Sequence, residues 1–142
     1  MLTDAFGRTV DYLRISVTDR CDLRCTYCLP KGFKGFSVPK EWLSIEELAR
    51  VASAFARLGT KRFRLTGGEP LLRKGLADLA AEINRQPGVE DISLTTNGTQ
   101  LGKQAHQLRA AGVRRLNISL DSLRSDCVKD ITGTDCLPQV LE

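Results

Sequence analysis

The chain has 142 residues, which is enough for one domain with a hydrophobic core. Hydrophobic residues make up 42% and charged residues 27%, the balance of an ordinary globular protein. A net charge of +4 and only 6% aromatic residues give little support for nucleic-acid binding. The sequence has neither a membrane-length apolar run nor an apolar signal core near Met1. We therefore expect a cytoplasmic protein with no nucleic-acid and no membrane partner.

Strand and helix patterns alternate along the chain. Alternation of polar and apolar residues predicts a first strand over 12–17, and a loop then covers 21–40. The first predicted helix covers 44–58, where Ser44 and Glu47 form a capping-box pattern ahead of an apolar stripe. The later elements are predicted as strands over 61–66, 91–96 and 115–120 and helices over 75–85, 101–111 and 123–131. Because connections of helix length join the strands, we expect a parallel α/β fold with right-handed crossovers.

Each predicted strand has one apolar and one polar face. Helices are expected to cover the apolar face, which consists of Leu13, Ile15, Val17, Phe63, Leu65, Ile92, Leu94, Leu116, Ile118 and Leu120. The polar face contains Arg14, Arg64, Thr95 and Ser119. Closed barrels fill their interior with branched apolar side chains. A polar inner face instead predicts a partial, incomplete TIM-like (βα)-barrel of about four units around a polar, anionic ligand.

Two weaker interpretations of this pattern stay open. An antiparallel sheet with one hydrated face would also alternate, although helix-length connections argue against it. The second interpretation is that Arg14 and Arg64 are solvated charges on a sheet face, the common situation for arginine.

Three of the five cysteines lie within eight residues. An odd number of cysteines in a chain expected to be cytosolic favours metal or catalytic use over disulfides. Cys21, Cys25 and Cys28 have the spacing C-x3-C-x2-C, which lets one loop bring three thiolates to three corners of an iron–sulfur cube. The fourth iron then lacks a protein ligand, and an open metal position is typical of a reactive site.

The cysteine spacing alone also permits two other structures. The three positions have helical spacing, but charged residues between them and the nearby Pro30 argue against a buried helix. A zinc site is the second alternative, completed by a remote side chain from among His106, Cys127 and Cys136. Cys127 and Cys136 lie in the stretch 126–138, which looks less regular than the rest of the sequence, and we interpret both as incidental to metal binding.

Four polar segments follow the four predicted strands. They are the cysteine loop and the segments 66–70, 95–98 and 119–122. Because the carboxyl ends of parallel strands meet at one edge, where βα folds place active sites, we expect one shared site. Gly67 and Gly68 are expected to let a ligand approach the backbone closely.

These motifs resemble those of the radical S-adenosylmethionine (SAM) superfamily, whose signature is the cysteine loop followed by Gly-Gly-Glu after the second strand. Within it, the chain is similar to the GTP 3′,8-cyclase family of molybdenum cofactor biosynthesis, from near residue 4 to the end. The closer resemblance is carried by Asp4-x-Phe6-Gly7-Arg8 and by the segments 13–18, 25–30, 64–71, 95–98, 117–122 and 131–133. The cysteine loop specifies only the superfamily, and the flanking segments are more specific.

The resemblance implies a lyase that converts GTP to (8S)-3′,8-cyclo-7,8-dihydroguanosine 5′-triphosphate. A [4Fe-4S] cluster on Cys21, Cys25 and Cys28 would chelate SAM at its open iron and cleave it to a 5′-deoxyadenosyl radical. The residues implied to contact SAM are Tyr27, Gly68 and Ser119. The residues implied to contact GTP are Arg14, Arg64 and Thr95. An electron donor is a further implied partner, and a homodimer stays an alternative to a monomer.

Members of this family are more than twice as long, and their C-terminal half carries three cysteines for a second [4Fe-4S] cluster. We therefore expect residues 1–142 to be the N-terminal part of a radical SAM core domain, without the second-cluster region and not a competent cyclase alone. The exposed edge of the fourth strand is expected to promote assembly or poor solubility. The alternatives are another radical SAM enzyme, such as one that matures a peptide, and a non-catalytic zinc-binding module.

Overall fold

A computed structural model describes residues 2–29, 33, 35–36 and 42–142 of the chain. The strands are β1 (Tyr12–Ser16), β2 (Arg62–Thr66), β3 (Asp91–Thr96) and β4 (Arg115–Ile118). The helices are α1 (Ile45–Arg57), α2 (Leu76–Asn84), α3 (Leu101–Ala110), α4 (Ser125–Thr132) and α5 (Leu137–Leu141), with a 3-10 turn at Pro70–Leu72. The strands lie in the order β1-β2-β3-β4 and pair in parallel. The predicted α/β class and partial (βα)-barrel are confirmed.

Helix α1 begins and ends where local chemistry predicts. The Ser44 hydroxyl accepts a hydrogen bond from the Glu47 backbone N–H, and the Glu47 carboxylate accepts one from the Ser44 N–H. Two backbone donors that the helix leaves free are thereby satisfied. Gly59, with φ +101°, follows the last turn in the left-handed conformation that ends many helices. The capping box thus fixes the start of the helix that contributes Leu48, Ala52 and Ala56 to the main core.

The main core lies between the sheet and helices α1, α2 and α3. Phe63, Leu65 and Leu94 are fully inaccessible to solvent, and Ile92 is nearly so. The helices cover them with Leu48, Ala52, Ala56, Leu76, Leu79, Ile83 and Leu108. Each fully buried large apolar side chain contributes about 1.5–3 kcal/mol relative to exposure. The predicted apolar face is therefore confirmed for β1, β2 and β3.

The prediction that helices cover the apolar face of the fourth strand is wrong for Leu116 and Ile118. Leu116 is 43% exposed and Ile118 is 45% exposed. The reason is that α4 and α5 pack elsewhere, in a second hydrophobic cluster. Its buried members are Leu23, Val128, Cys136 and Leu137, against which Cys21, Cys25, Leu120 and Val140 pack. The helices that follow β4 therefore support the cysteine loop.

Two short elements were not predicted from the sequence. The 3-10 turn at Pro70–Leu72 starts at Glu69, whose side chain accepts a hydrogen bond from the Leu71 N–H. Helix α5 falls in a stretch whose sequence suggested irregular structure, because five residues are too few to show a helical period. Among the residues that the structure describes, no helix has the length and apolar character needed to cross a membrane.

Candidate functional site

The loops after β1 and β2 are joined by backbone hydrogen bonds beyond the ends of the strands. The Gly68 N–H donates to the Thr18 carbonyl over 2.8 Å, and the Glu69 N–H donates to the Arg20 carbonyl over 2.6 Å. The parallel ladder thus continues up to the residue before Cys21. The start of the cysteine loop is therefore fixed by residues 66–70, which we call the glycine segment.

The paired glycines are needed for this contact between two backbones. A Cβ atom at Gly67 would lie 2.3 Å from the Thr18 carbonyl oxygen, and one at Gly68 would lie 2.3 Å from that of Arg20. Gly67 also has φ +151°, a conformation that side chains disfavour. The predicted close approach is real, but the group that approaches is the chain's own cysteine loop and not a ligand on that side.

Glu69 is a buried carboxylate that ties the segment after β2 to the end of β3. Its side chain is 1% exposed and accepts hydrogen bonds from the Leu71 N–H (3.0 Å), the Thr96 hydroxyl (2.8 Å) and the Asn97 N–H (2.7 Å). Burial raises the pKa of Glu69, and the three hydrogen bonds act in the opposite direction because they favour the charged form. With these three partners, Glu69 serves as a structural anchor for the end of β3.

The three cysteines of the loop are free thiols near the carboxyl end of β1. Cys21 and Cys25 are half-buried and Cys28 is exposed. Burial raises the pKa of Cys21 and of Cys25, so that removing the protons needs a compensating cation such as a metal. Within the described ranges, no three His, Cys, Asp or Glu side chains are grouped closely enough to hold a single metal ion.

Helix α4 holds the part of the cysteine loop that lies between Cys21 and Cys28. The Arg24 N–H donates to the Thr132 carbonyl and the Thr26 N–H to the Ile131 carbonyl, each over 2.9 Å. These carbonyls belong to the last turn of α4, where a helix leaves acceptors unsatisfied. Leu23, between the first two cysteines, is 5% exposed and packs in the second hydrophobic cluster. This support could not be predicted from the sequence, because nothing local links the loop to residues 131–132.

The loop after β3 contacts the first cysteine and its neighbour. The Asn97 side-chain amide donates to the Asp22 carboxylate over 2.7 Å and lies 3.9 Å from the Cys21 sulfur. The Thr99 hydroxyl donates to the other oxygen of Asp22 over 2.6 Å. The cysteine loop is therefore bound to the ends of both β2 and β3.

The loop after β4 reaches the cysteine loop through Tyr27. The Tyr27 hydroxyl donates to the Asp121 carboxylate over 2.9 Å, while 67% of Tyr27 remains exposed. Ser119, two residues before Asp121, is exposed, and its backbone N–H donates to the Thr96 carbonyl over 2.8 Å. Gly68 belongs to the segment after β2. Tyr27, Gly68 and Ser119 therefore all belong to segments that adjoin the carboxyl edge of the sheet.

Arg14 and Arg64 are register neighbours on the polar face of the sheet. Arg14 of β1 pairs with Arg64 of β2, which pairs with Ser93 of β3. The Arg64 Nε donates to the Ser93 hydroxyl over 3.3 Å, and its guanidinium lies 5.7 Å from the centre of the Tyr12 ring. Among the described residues, neither arginine forms an ion pair with a carboxylate. Two guanidinium groups are therefore free to bind an anion.

Arg115 completes this row but is already paired. It lies opposite Ser93 on β4, and it forms a bidentate pair with Asp91, with distances of 3.0 Å and 2.6 Å. Arg115 was not among the predicted site residues, although its spacing from Asn117 puts it on the polar face. Thr95 lies two residues beyond Ser93, opposite Asn117. The sheet thus places Arg14 and Arg64 side by side, with Thr95 nearer the carboxyl ends.

The sequence matches one family of known proteins. The sequence model of the Radical SAM superfamily matches residues 15–142. This range begins in β1 and includes the cysteine loop, the glycine segment and all later strands.

Curated relatives are similar along nearly the whole chain. "GTP 3′,8-cyclase 2" of Pseudomonas aeruginosa is 52% identical over 141 residues, which are 99% of this chain and 42% of that protein. "GTP 3′,8-cyclase" of Pseudomonas putida is 53% identical over 140 residues, again 99% of this chain and 42% of the relative. The chain therefore spans less than half the length of the curated relatives it matches.

Solved structures with low sequence identity share the fold. Streptococcus suis SuiB bound to precursor peptide SuiA superposes with a TM-score of 0.70 at 20% identity, over 87% of this chain and 27% of that chain. BtrN in complex with AdoMet and 2-DOIA gives a TM-score of 0.59 at 19% identity, over 93% of this chain and 55% of that chain. At these identities the likeness establishes the fold alone.

Proposed function

The chain belongs to the radical SAM superfamily, and from that premise we propose that residues 1–142 form the N-terminal part of the core domain of a GTP 3′,8-cyclase. Such an enzyme is a lyase that rearranges GTP in molybdenum cofactor biosynthesis. The observation that carries the proposal is the 52% identity over 141 residues to a protein of that name. The arrangement of the cysteine loop and of Arg14 and Arg64 on the polar face is compatible with it.

Cys21, Cys25 and Cys28 would hold a [4Fe-4S] cluster. The donor set fits, because the three are free thiols on one loop at the carboxyl end of a strand. That loop is fixed on one side by the glycine segment and on the other by the last turn of α4. When bound, the reduced cluster and SAM supply a 5′-deoxyadenosyl radical, with the electron coming from an external donor. The contribution of this chain is to place the thiolates and to limit access of water.

Tyr27, Gly68 and Ser119 would contact SAM. The exposed Tyr27 ring and the exposed Ser119 side chain are available to a ligand above the carboxyl edge. Gly68 uses its N–H to bind Thr18, so it would offer its carbonyl to the ammonium group of SAM. The three residues belong to the loops after β1, β2 and β4, and together they would orient the cofactor relative to the cluster.

Arg14, Arg64 and Thr95 would bind GTP on the polar face of the sheet. A guanidinium group binds a phosphate through two parallel hydrogen bonds, and two neighbouring guanidinium groups suit a polyphosphate. The Thr95 hydroxyl, nearer the carboxyl ends, would contact the part of GTP that faces the cofactor. This assignment also accounts for two neighbouring arginines that have no carboxylate partner within the described part of the chain.

Anaerobic reconstitution with iron and sulfide tests the metal part of the proposal. We expect a brown protein with about four irons per chain and a broad visible charge-transfer absorption. Cys25→Ala should lose the iron, whereas Cys127→Ala, the matched control outside the loop, should retain it. A colourless protein that binds one zinc ion, or iron loss in the control, would contradict the proposal. SAM binding to the reconstituted chain by calorimetry then tests the cofactor assignment.

A further inference from the structure

Asn97 is placed between a carboxylate and a proposed cluster ligand. Its side-chain nitrogen lies 2.7 Å from the Asp22 Oδ1 and 3.9 Å from the Cys21 Sγ. The amide group has two N–H donors, and these two acceptors lie on the loop that follows β1. One side chain from the end of β3 can therefore serve both acceptors.

The orientation of this amide is set by its own loop. The Asn97 Oδ1 accepts a hydrogen bond of 3.0 Å from the Thr99 backbone N–H, which turns the nitrogen toward the cysteine loop. The Asn97 backbone N–H donates to the buried Glu69 carboxylate over 2.7 Å. Side chain and main chain are both held, so the amide is in place before any cluster is bound.

The electrostatics of the site require a donor at this position. The Cys21 sulfur lies 3.9 Å from the Asp22 Oδ1, and a cysteine that ligates iron is a thiolate. Two negative groups at that distance repel each other. The Cys21 sulfur also accepts from the Leu23 N–H at 3.4 Å, so Asn97 supplies the second donor and the only one shared with Asp22 among the described residues.

We propose that Asn97 is a positioning residue for the cluster, whose amide donates a hydrogen bond to the Cys21 thiolate and ties the cysteine loop to the end of β3 through Asp22. The inference rests on the proposed function, since it requires a cluster on Cys21. Hydrogen bonds to the sulfurs of an iron–sulfur cluster stabilise its reduced, more negative state and raise its reduction potential. Asn97 therefore makes the cluster easier to reduce.

The test compares the reduction potentials of reconstituted variants of the chain. Asn97→Ser keeps an oxygen that can accept from the Thr99 N–H, but its side chain is too short to reach the sulfur. We expect a lower potential than in the unchanged chain, in an anaerobic redox titration followed by electron paramagnetic resonance. We also expect loss of iron to a chelator to be about tenfold faster, the usual size of effect for a residue that supports a metal ligand.

Thr99→Val is the matched control. It removes the hydrogen bonds from the Thr99 hydroxyl to the other oxygen of Asp22 and to the Asn97 Oδ1. The Thr99 backbone N–H still holds the Asn97 Oδ1, so Asn97 remains able to donate to Cys21. We expect this variant to keep the unchanged potential. Asn97→Asp, which has nearly the same shape and places a negative charge opposite the sulfur, should lower the potential further than Asn97→Ser.

The outcomes separate this inference from the proposed function. A lower potential in both Asn97 variants and an unchanged one in Thr99→Val support it. Equal shifts in Asn97→Ser and Thr99→Val, or no shift in either Asn97 variant, overturn it and leave the cluster assignment intact. An unchanged chain that takes up no cluster overturns the proposed function and this inference together.

Discussion

The Tyr27 hydroxyl donates a hydrogen bond of 2.9 Å to the Asp121 carboxylate, 94 residues further along the chain. Tyr27 belongs to the loop after the first strand and Asp121 to the loop after the last. The bond therefore connects the two ends of the carboxyl edge of the sheet. It raises the pKa of Tyr27, because a phenolate would face the negative carboxylate.

Asp121→Asn is expected to lower the pKa of Tyr27 toward its ordinary value of 10.0, because the amide removes the repelling charge. An alkaline titration of phenolate absorbance measures this, in a Tyr12→Phe background so that only Tyr27 reports. The same background with Asp121 intact is the control. An unchanged pKa in Asp121→Asn would show that the two side chains do not meet in solution.

Gly68→Ala is expected to destabilise the chain. The added methyl group would lie within 2.4 Å of the carbonyl oxygens of both Arg20 and Asp19, and a backbone cannot yield as a flexible side chain can. We expect a loss of about 2–4 kcal/mol in the free energy of unfolding, measured by urea denaturation.

Gly102→Ala is the matched control for Gly68→Ala. Gly102 lies within α3, and a Cβ there would meet no atom within 4 Å. Alanine has the higher helix propensity, so we expect stabilisation by about 0.5–1 kcal/mol. If Gly68→Ala were as well tolerated as Gly102→Ala, the backbone of Gly68 would not lie against the carbonyl groups of Asp19 and Arg20 in solution.

The sequence predicts well those parts of the fold that depend on local patterns. β3 was predicted over 91–96 and spans Asp91–Thr96, because strict alternation of side chains defines a half-buried strand. The start of α1 follows from the Ser44 and Glu47 capping box. These features need no knowledge of distant residues.

The features that hold the candidate site together depend on distant residues and could not be predicted. Asn97 and Asp22 are 75 positions apart, and no periodic pattern links them. The last turn of α4 supports the cysteine loop, although residues 126–138 looked irregular in the sequence. A helix was predicted to cover Leu116 and Ile118, because one follows their strand in the sequence. That helix packs on the cysteine loop instead, and both side chains are exposed.

Glu69 is expected to give the chain a characteristic pH dependence of stability. Burial raises the pKa of Glu69 above its ordinary value of 4.5, so the folded state binds the proton more tightly than the unfolded state. The resulting stabilisation is fully present below 4.5 and is lost as the pH rises through the raised pKa. Glu69→Gln cannot titrate and should lack this change.

The measurement is urea denaturation of both proteins between neutral pH and a pH near 4.5. At neutral pH, Glu69→Gln should lower the free energy of unfolding by about 1–3 kcal/mol. The reason is that the NH₂ group of glutamine, itself a donor, would face an N–H or hydroxyl donor and find no acceptor. The difference in free energy of unfolding between the unchanged chain and Glu69→Gln should widen as the pH falls, because only Glu69 gains stability by taking up a proton. If this difference narrowed instead, the hydrogen bonds would lower the pKa of Glu69 more than burial raises it.

Arg64→Ala is expected to weaken GTP binding more than SAM binding. Arg64 lies on the polar face beside Arg14, whereas the SAM candidates lie beyond the carboxyl ends of the strands. Loss of a charged hydrogen-bonding group costs about 1.5–3 kcal/mol, or roughly 10- to 150-fold in affinity. Calorimetric titration with each ligand measures this in a protein of the relatives' full length that carries this sequence. Arg64→Lys, which keeps the charge but lacks the planar fork, should recover only part of the affinity.

Arg109→Ala is the control for Arg64→Ala, because Arg109 is an exposed arginine on α3, away from the polar face of the sheet. We expect it to bind both ligands like the unchanged protein. If Arg64→Ala instead weakened SAM binding and left GTP binding intact, the polar face would be the cofactor side of the site. If neither ligand were affected, Arg64 would be a solvated charge whose partners among the described residues are Ser93 and Tyr12.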